Sequence, residues 1–115
     1  MSSKLFKVFT VLVITCFIPN ISFSGDLILG KEIATTICST CHGIDGKATT
    51  GGNSAITPNI TAQQKDYLIA KLKDYRSGKI NHPQMSLIAQ KLTNEDIIIV
   101  SEWYSKIKIE IKLPK

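Results

Sequence analysis

Residues 38–43 read Cys-Ser-Thr-Cys-His-Gly, so two cysteines stand two residues apart and a histidine directly follows the second. This spacing, Cys-x-x-Cys-His, is the attachment motif of c-type haem. Each thiol adds to one of two vinyl groups on adjacent pyrroles, and a turn of two intervening residues spans the gap. His42 then comes to lie beneath the iron as its proximal ligand. The motif predicts one haem c, attached covalently through Cys38 and Cys41.

Other uses of a close cysteine pair stay open at this point. A structural zinc site needs four ligands, and after residue 24 the chain offers only His82 besides the motif. A thioredoxin-like redox pair would follow a strand and open a helix, whereas Cys38 follows a helix-like stretch. A plain disulfide between Cys38 and Cys41 is the remaining alternative. An export signal favours haem, because thioethers of this kind form beyond the bacterial membrane.

The first 24 residues predict a secretory signal peptide that is cleaved after Ser24. Lys4 and Lys7 precede an apolar run at 8–18, and small residues at 22 and 24 fit a cleavage site. The run is shorter than the roughly 20 residues that a spanning helix needs. An uncleaved membrane anchor and a lipoprotein modified at Cys16 are therefore lesser alternatives. We expect a single domain at 25–115, exported to the periplasm, in which 108–115 would form a tail.

The composition after residue 24 leaves little bulk for a core. All four Phe precede that point, and the remaining aromatic residues are Tyr67, Tyr75, Trp103 and Tyr104. A domain this small buries little surface of its own, so a large apolar cofactor would help to fill it. The length excludes a multidomain enzyme and a polytopic membrane protein. The modest positive charge shows no basic stripe interleaved with aromatics, so nucleic acid is not an expected partner.

Helical periodicity organises the rest of the chain. Leu29, Ile33 and Ile37 recur at four-residue spacing and predict a first helix that ends near Ile37. Glycines and Pro58 indicate a loop at 43–58. Thr61 and Gln64 fit a capping box, which predicts a helix from there to Ser77 with Gly78 as its stop.

The second half predicts two further helices. A short one covers residues 84–90, and Thr93 caps the last one, whose face carries Ile97, Val100 and Tyr104. Residues 107–113 alternate strictly between apolar and charged, which is typical of a strand. With no partner strand in view, we expect them to lie as an extension on the surface.

Met85 and His82 are the candidates for the second axial iron ligand. Met85 is the only methionine after the signal segment, and a long helix separates it from His42. It can therefore approach the iron from the opposite face. His82, next to Pro83, is expected to be an exposed turn residue. A thioether favours ferrous iron and raises the reduction potential, and two filled axial positions suit electron transfer rather than catalysis.

In these features the chain resembles the small single-haem bacterial cytochromes c of class I, and it is similar also to each half of the dihaem cytochromes c. The resemblance covers about residues 25–107. It rests on the haem motif with Asp45–Gly46 after it, and on five further segments: Gly25–Asp26 with Gly30–Lys31, Pro58–Gln63, Tyr67–Gly78, Met85–Leu92 and Trp103–Tyr104.

The resemblance implies an all-α class I cytochrome c fold, with three to five helices around one covalently attached haem. Cys38 and Cys41 would carry the thioethers, and His42 and Met85 would bind the iron. The Pro58 carbonyl would accept a hydrogen bond from the His42 ring and so fix its orientation.

The family pattern also implies contacts away from the iron. Gly30 would meet Trp103 or Tyr104 where the first and last helices cross. Ala62 stands where the family has glycine, so the local backbone is expected to differ there. The charged tail is not part of the pattern.

The function implied is that of a periplasmic one-electron shuttle, not an enzyme. Its partners would be redox proteins, including membrane-bound respiratory complexes, with no small-molecule substrate and with a monomeric chain. The alternatives are a haem-based ligand sensor or peroxidase-like enzyme with a displaceable Met85, or a haem subunit of a larger oxidoreductase complex.

Overall fold

The computed structural model describes residues 26–49, 51 and 56–115; the predicted signal peptide at residues 1–24 and part of the predicted loop lie outside them. Every regular element in the described ranges is a helix, so the predicted all-α fold is confirmed. Within these ranges no helix has both the length and the apolarity needed to cross a bilayer.

The haem motif lies at the end of one continuous helical segment. Helix α1 (Asp26–Ile33) passes into a π-helical turn (Ala34–Cys38) and then into the short α2 (Ser39–His42). The Thr35 hydroxyl donates to the Lys31 carbonyl at 2.7 Å, a back-bond that bends helices. Because helical residues continue through His42, the segment runs past the predicted end at Ile37. It ends at Gly43, whose φ of +75° is accessible to glycine but strained for other residues.

Helix α5 (Asn94–Lys106) crosses α1 at Gly30. A Cβ atom on Gly30 would lie 2.7 Å from the Ile99 carbonyl oxygen and 3.0 Å from Trp103 Cβ. Only a residue without a side chain allows the two helices to approach this closely. The predicted contact between Gly30 and Trp103 is confirmed.

Helix α3 (Lys65–Ser77) begins later than the sequence predicts. Thr61 does not cap it, because the Thr61 hydroxyl instead donates to the Asp45 carbonyl at 2.6 Å. Ala62 has a φ of +54°, outside the helical region, and its N–H donates to the Tyr104 carbonyl at 3.0 Å. The predicted capping box at Thr61 and Gln64 is therefore wrong, and the helix starts only after this left-handed residue.

The other predicted helix ends agree with the structure to within one residue. Gly78, with a φ of +78°, ends α3 as expected. Helix α4 (Pro83–Gln90) starts one residue earlier than predicted. Thr93 caps α5 in a reciprocal capping box with Asp96. These ends need only local chemistry, which explains why the sequence predicts them.

The core forms where the π-helical turn, α3 and α5 come together. Its buried members are Ala34, Leu68, Val100 and Tyr104. Beyond α5, residues 107–115 form neither helix nor strand, and Ile109, Ile111 and Leu113 are exposed. The alternating pattern produces no strand because the described residues contain no sheet to which it could pair.

Candidate haem-binding site

A cavity of about 460 Å³ opens between α2, the loop at 56–60 and helices α3, α4 and α5. Its volume falls within the range of small-molecule and cofactor sites. All the predicted site residues border it: Cys38, Cys41, His42, Pro58 and Met85. The rest of its wall is mainly apolar, with Ile37, Ile60, Leu68, Leu72, Ile88, Leu92 and Val100 among the lining residues.

The two cysteines stand on one wall of the cavity and are not joined by a disulfide. Cys41 is exposed at the rim, whereas Cys38 is half-buried. Burial raises the pKa of the Cys38 thiol to about 11, and a hydrogen bond with Tyr104 opposes this only in part. Zinc ligation and thiol exchange both need a thiolate, so the burial of Cys38 disfavours both uses of this thiol.

His42 is buried, with 8% of its surface exposed. Its Nδ1 lies 3.0 Å from the Pro58 carbonyl oxygen. Burial lowers the pKa of His42, and the hydrogen bond to Pro58 opposes that shift. A neutral imidazole that donates from Nδ1 has Nε2 as its free lone pair. This contact fixes the ring orientation in the way that histidine ligands of metals usually are fixed.

Met85 lies in the first turn of α4, half-buried and facing the same cavity. His82, expected as an exposed turn residue, is instead half-buried and also lines the cavity. The expectation is wrong because the His82 ring caps α4 by accepting a hydrogen bond from the Met85 N–H. Its position three residues before Met85 and next to Pro83 is a sequence signal for this role.

Helix α5 adds polar groups that the sequence patterns do not single out. The Tyr104 hydroxyl donates to the Gly43 carbonyl at 3.1 Å, and Tyr104 is only 2% exposed. Burial raises the pKa of this phenol above its usual value. Ser101 lines the cavity, and its buried hydroxyl has no hydrogen-bond partner among the described residues. The only sequence feature that could have indicated Ser101 is its position on the buried face of α5.

These residues fit a covalently attached haem. The cavity offers two sulfur atoms on one wall, an oriented imidazole nitrogen, a thioether and apolar side chains. Those are the donors and the surroundings that c-type haem requires. A structural zinc site needs four nitrogen, sulfur or oxygen ligands in a tetrahedron, and among the described residues no three His, Cys, Asp or Glu side chains cluster closely enough to hold a metal ion.

Comparison with known proteins agrees with this geometry. A family model described as Cytochrome c matches residues 27–106. The chain belongs to the cytochrome c family. As a cytochrome c it carries covalently bound haem c, and the family transfers electrons.

Three curated proteins are similar to this chain. Cytochrome c-554(548) of Halomonas halodenitrificans is 38% identical over 85 residues, which cover 71% of this chain and 96% of that protein. The cytochrome subunit of sulfide dehydrogenase from Chlorobaculum tepidum is 28% identical, covering 66% of this chain and 64% of that protein. The thiosulfate dehydrogenase electron acceptor of Stutzerimonas stutzeri is 33% identical, covering 63% and 32%. This chain therefore spans nearly all of the first relative and about a third of the last.

Proposed function

We propose that this cytochrome c is an exported one-electron carrier, with thioethers at Cys38 and Cys41 and with His42 and Met85 as axial ligands of the iron. The supporting observation is that these side chains border one cavity although a helix separates Met85 from the motif. When bound, haem iron supplies a one-electron redox couple.

The residues around the cavity have distinct tasks in this proposal. Pro58 holds the His42 ring through Nδ1 and leaves Nε2 for the iron. Met85 supplies a soft thioether, which raises the reduction potential. If His42 and Met85 both hold the iron, they would leave no ligand position for a substrate. The site therefore suits electron transfer and not catalysis on a bound molecule.

The proposed cellular location and partners rest on the predicted signal peptide and on exposed residues beside the cavity. The signal peptide predicted at residues 1–24 indicates export to the periplasm. Cys41 and Ile56 are exposed beside the cavity, so an edge of the haem near them would be open to a redox partner. Contacts of that kind are small and transient. The partners would be soluble redox proteins or membrane-bound respiratory complexes, which a monomeric carrier can reach in turn.

A second candidate is service as the haem subunit of a larger oxidoreductase complex. It is favoured by the names of two relatives, a cytochrome subunit of sulfide dehydrogenase and a thiosulfate dehydrogenase electron acceptor. Purification of the protein from its source decides between the two roles. A free monomer that small donors reduce rapidly supports the carrier, and stable co-purification with a dehydrogenase supports the subunit.

The ligand assignment is tested by optical spectra and redox titration of wild type, Met85→Ala and Leu87→Ala. Ferric wild type should show the red-end charge-transfer band of a thioether-bound iron at neutral pH. Met85→Ala should lose that band entirely and fall in potential. Leu87 is exposed on the same helix, so Leu87→Ala should keep both properties. A wild-type protein without the band would indicate an open or displaceable position, as in a ligand sensor or a peroxidase-like enzyme.

A further inference from the structure

His82 stands at the N-terminus of α4 with its ring on the cavity wall. Its Nδ1 accepts a hydrogen bond from the backbone N–H of Met85 at 3.2 Å. Pro83, at the first helical position, has no N–H to satisfy. The His82 ring therefore caps the N–H of the third helical residue, one of the positions at which side-chain caps usually act. That residue is Met85, so the capping group holds the backbone of the proposed iron ligand directly.

Ser86 closes the same turn from the other side. Its backbone N–H donates to the His82 carbonyl at 2.9 Å, and its hydroxyl accepts from the His82 N–H at 3.2 Å. The hydroxyl in turn donates to the Ile80 carbonyl at 3.4 Å. Both backbone polar groups of His82 are thus engaged in addition to its ring, which leaves its backbone little freedom.

The His82 ring is also anchored to another helix. It meets the Tyr75 ring of α3 edge to face, with 5.8 Å between centroids and an interplanar angle of 74°. Aromatic pairs at this separation attract each other beyond simple burial. The shorter caps Asn, Asp, Ser and Thr accept the same N–H but present no ring to Tyr75. His82 therefore ties the first turn of α4 to a helix whose Leu68 and Leu72 line the cavity.

Direct iron binding by His82 is disfavoured by the same contacts. Binding through Nδ1 would remove the acceptor from the Met85 N–H. Because Nδ1 accepts this hydrogen bond, a neutral ring carries its proton on Nε2, which then has no free lone pair for iron. Turning the ring would break its contact with Tyr75. Met85 and His82 are the two candidates for the second iron ligand. The geometry favours Met85 as the ligand and His82 as the residue that supports it.

We propose that His82 is a positioning residue that keeps the Met85 sulfur directed toward the haem iron, by capping α4 and by bracing that cap against Tyr75. The inference rests on the proposed function, because it needs Met85 as an axial ligand. Loss of the cap lets the first turn of α4 open more often, and each opening takes Met85 out of the cavity. A cap of ordinary strength corresponds to about a fivefold change in that opening equilibrium.

The test measures how readily added imidazole displaces Met85 from the ferric holoprotein, followed by loss of the thioether charge-transfer band. The variants are His82→Ala, His82→Asn and Thr93→Ala. Asparagine restores a capping acceptor. Thr93 caps α5, whose first turn carries none of the proposed ligands, so Thr93→Ala is a matched cap loss away from the iron.

His82→Ala should bind imidazole about fivefold more tightly than wild type, and its band should disappear at a lower temperature. His82→Asn, which restores the cap but not the contact with Tyr75, should bind imidazole with an affinity between those of wild type and His82→Ala, and Thr93→Ala should bind imidazole as wild type does. Equal imidazole affinities for wild type and His82→Ala would overturn the inference, as would an Asn variant that behaves like the Ala variant. Absence of the band in wild type would instead remove the proposed ligation itself, so the two failures are distinguishable.

Discussion

Ala62 shows how one residue departs from local preference to satisfy the fold. Its φ of +54° lies in the left-handed region, where a Cβ atom crowds the backbone. The conformation allows the Ala62 N–H to reach the Tyr104 carbonyl of α5 at 3.0 Å. The bond ties the segment before α3 to the last helix. Glycine, which the family pattern has here, would adopt the same backbone without that strain.

We therefore expect Ala62→Gly to raise the free energy of unfolding by about 0.5 to 1 kcal/mol. Relief of left-handed strain of roughly 1–2 kcal/mol is partly offset by the greater freedom of glycine in the unfolded chain. Denaturant unfolding of the holoprotein measures the change. Ala70 is exposed within α3, so Ala70→Gly should lower the stability by about 0.5 to 1 kcal/mol. A loss of stability in both variants would contradict strain at Ala62.

For individual residues, the sequence predicts those site residues that belong to a recognisable motif or are the only residue of their type. Cys38, Cys41 and His42 follow from their motif, and Met85 follows because no other methionine is available after the signal segment. The φ of Ala62 and the capping role of His82 were not predicted. The φ of Ala62 depends on the distant Tyr104, a contact that local propensity does not report. The cap at His82 is local, but histidine is not among the side chains that commonly cap helices.

Among elements, a small ion cluster at the surface adds to the apolar packing of α3 against α5. Glu102 of α5 pairs with Lys65 of α3 and, at 3.4 Å, with Lys106 of its own helix. The hydrogen bond from Lys65 is the main reason why the pKa of Glu102 is lowered, and the positive charge of both lysines adds to it. The cluster lies at the N-terminal end of α3, the element whose start the sequence predicted wrongly.

Because the folded-state pKa of Glu102 is lowered, its contribution to stability is present above the ordinary glutamate pKa. It is lost as the pH falls through the lower folded-state value. We expect Glu102→Gln to be less stable than wild type by about 0.5 kcal/mol at pH 7. The difference should vanish in acid, well below a pH of about 4.

Thermal or denaturant unfolding across pH 3 to 7, roughly the range in which carboxylates titrate, measures this dependence. Glu110→Gln, in the exposed tail, is a matched control that should track wild type at every pH. A deficit in Glu102→Gln that stays constant into acid would show that its charge is not the cause.

For the whole molecule, the described residues enclose a cavity more than they fill a core. The buried hydrophobic side chains are few and include small ones such as Ala34 and Ala89. Aromatic bulk is scarce after residue 24, and of the four aromatic residues there only Tyr104 is fully buried. The sequence predicted both the lack of large apolar side chains for a core and the bound haem that would fill the space. It did not predict which helices would form the walls, because wall positions depend on how α3, α4 and α5 pack together.

We expect the chain without haem to be largely unfolded. A ligand that binds only the folded state stabilises it, and a covalent haem that fills the cavity does so strongly. The measurement is far-ultraviolet circular dichroism of protein from which the haem has been removed by thioether cleavage, with the holoprotein as reference. Helical signal should fall toward that of an unfolded chain, without a cooperative melting transition. A native-like helical spectrum that melts cooperatively would refute the expectation.

The π-helical turn at Ala34–Cys38 sets a limit on insertions and deletions before the haem motif. A turn with one residue more than an α-helical turn rotates everything after it by about 100° around the helix axis. The side of the helix on which Cys38, Cys41 and His42 lie is therefore set by the number of residues between Ile33 and the motif. Removing one of them would leave Cys-x-x-Cys-His intact in spelling and direct it away from the cavity. The length of this segment is thus part of the attachment signal, although no residue in it before Cys38 takes part in the chemistry.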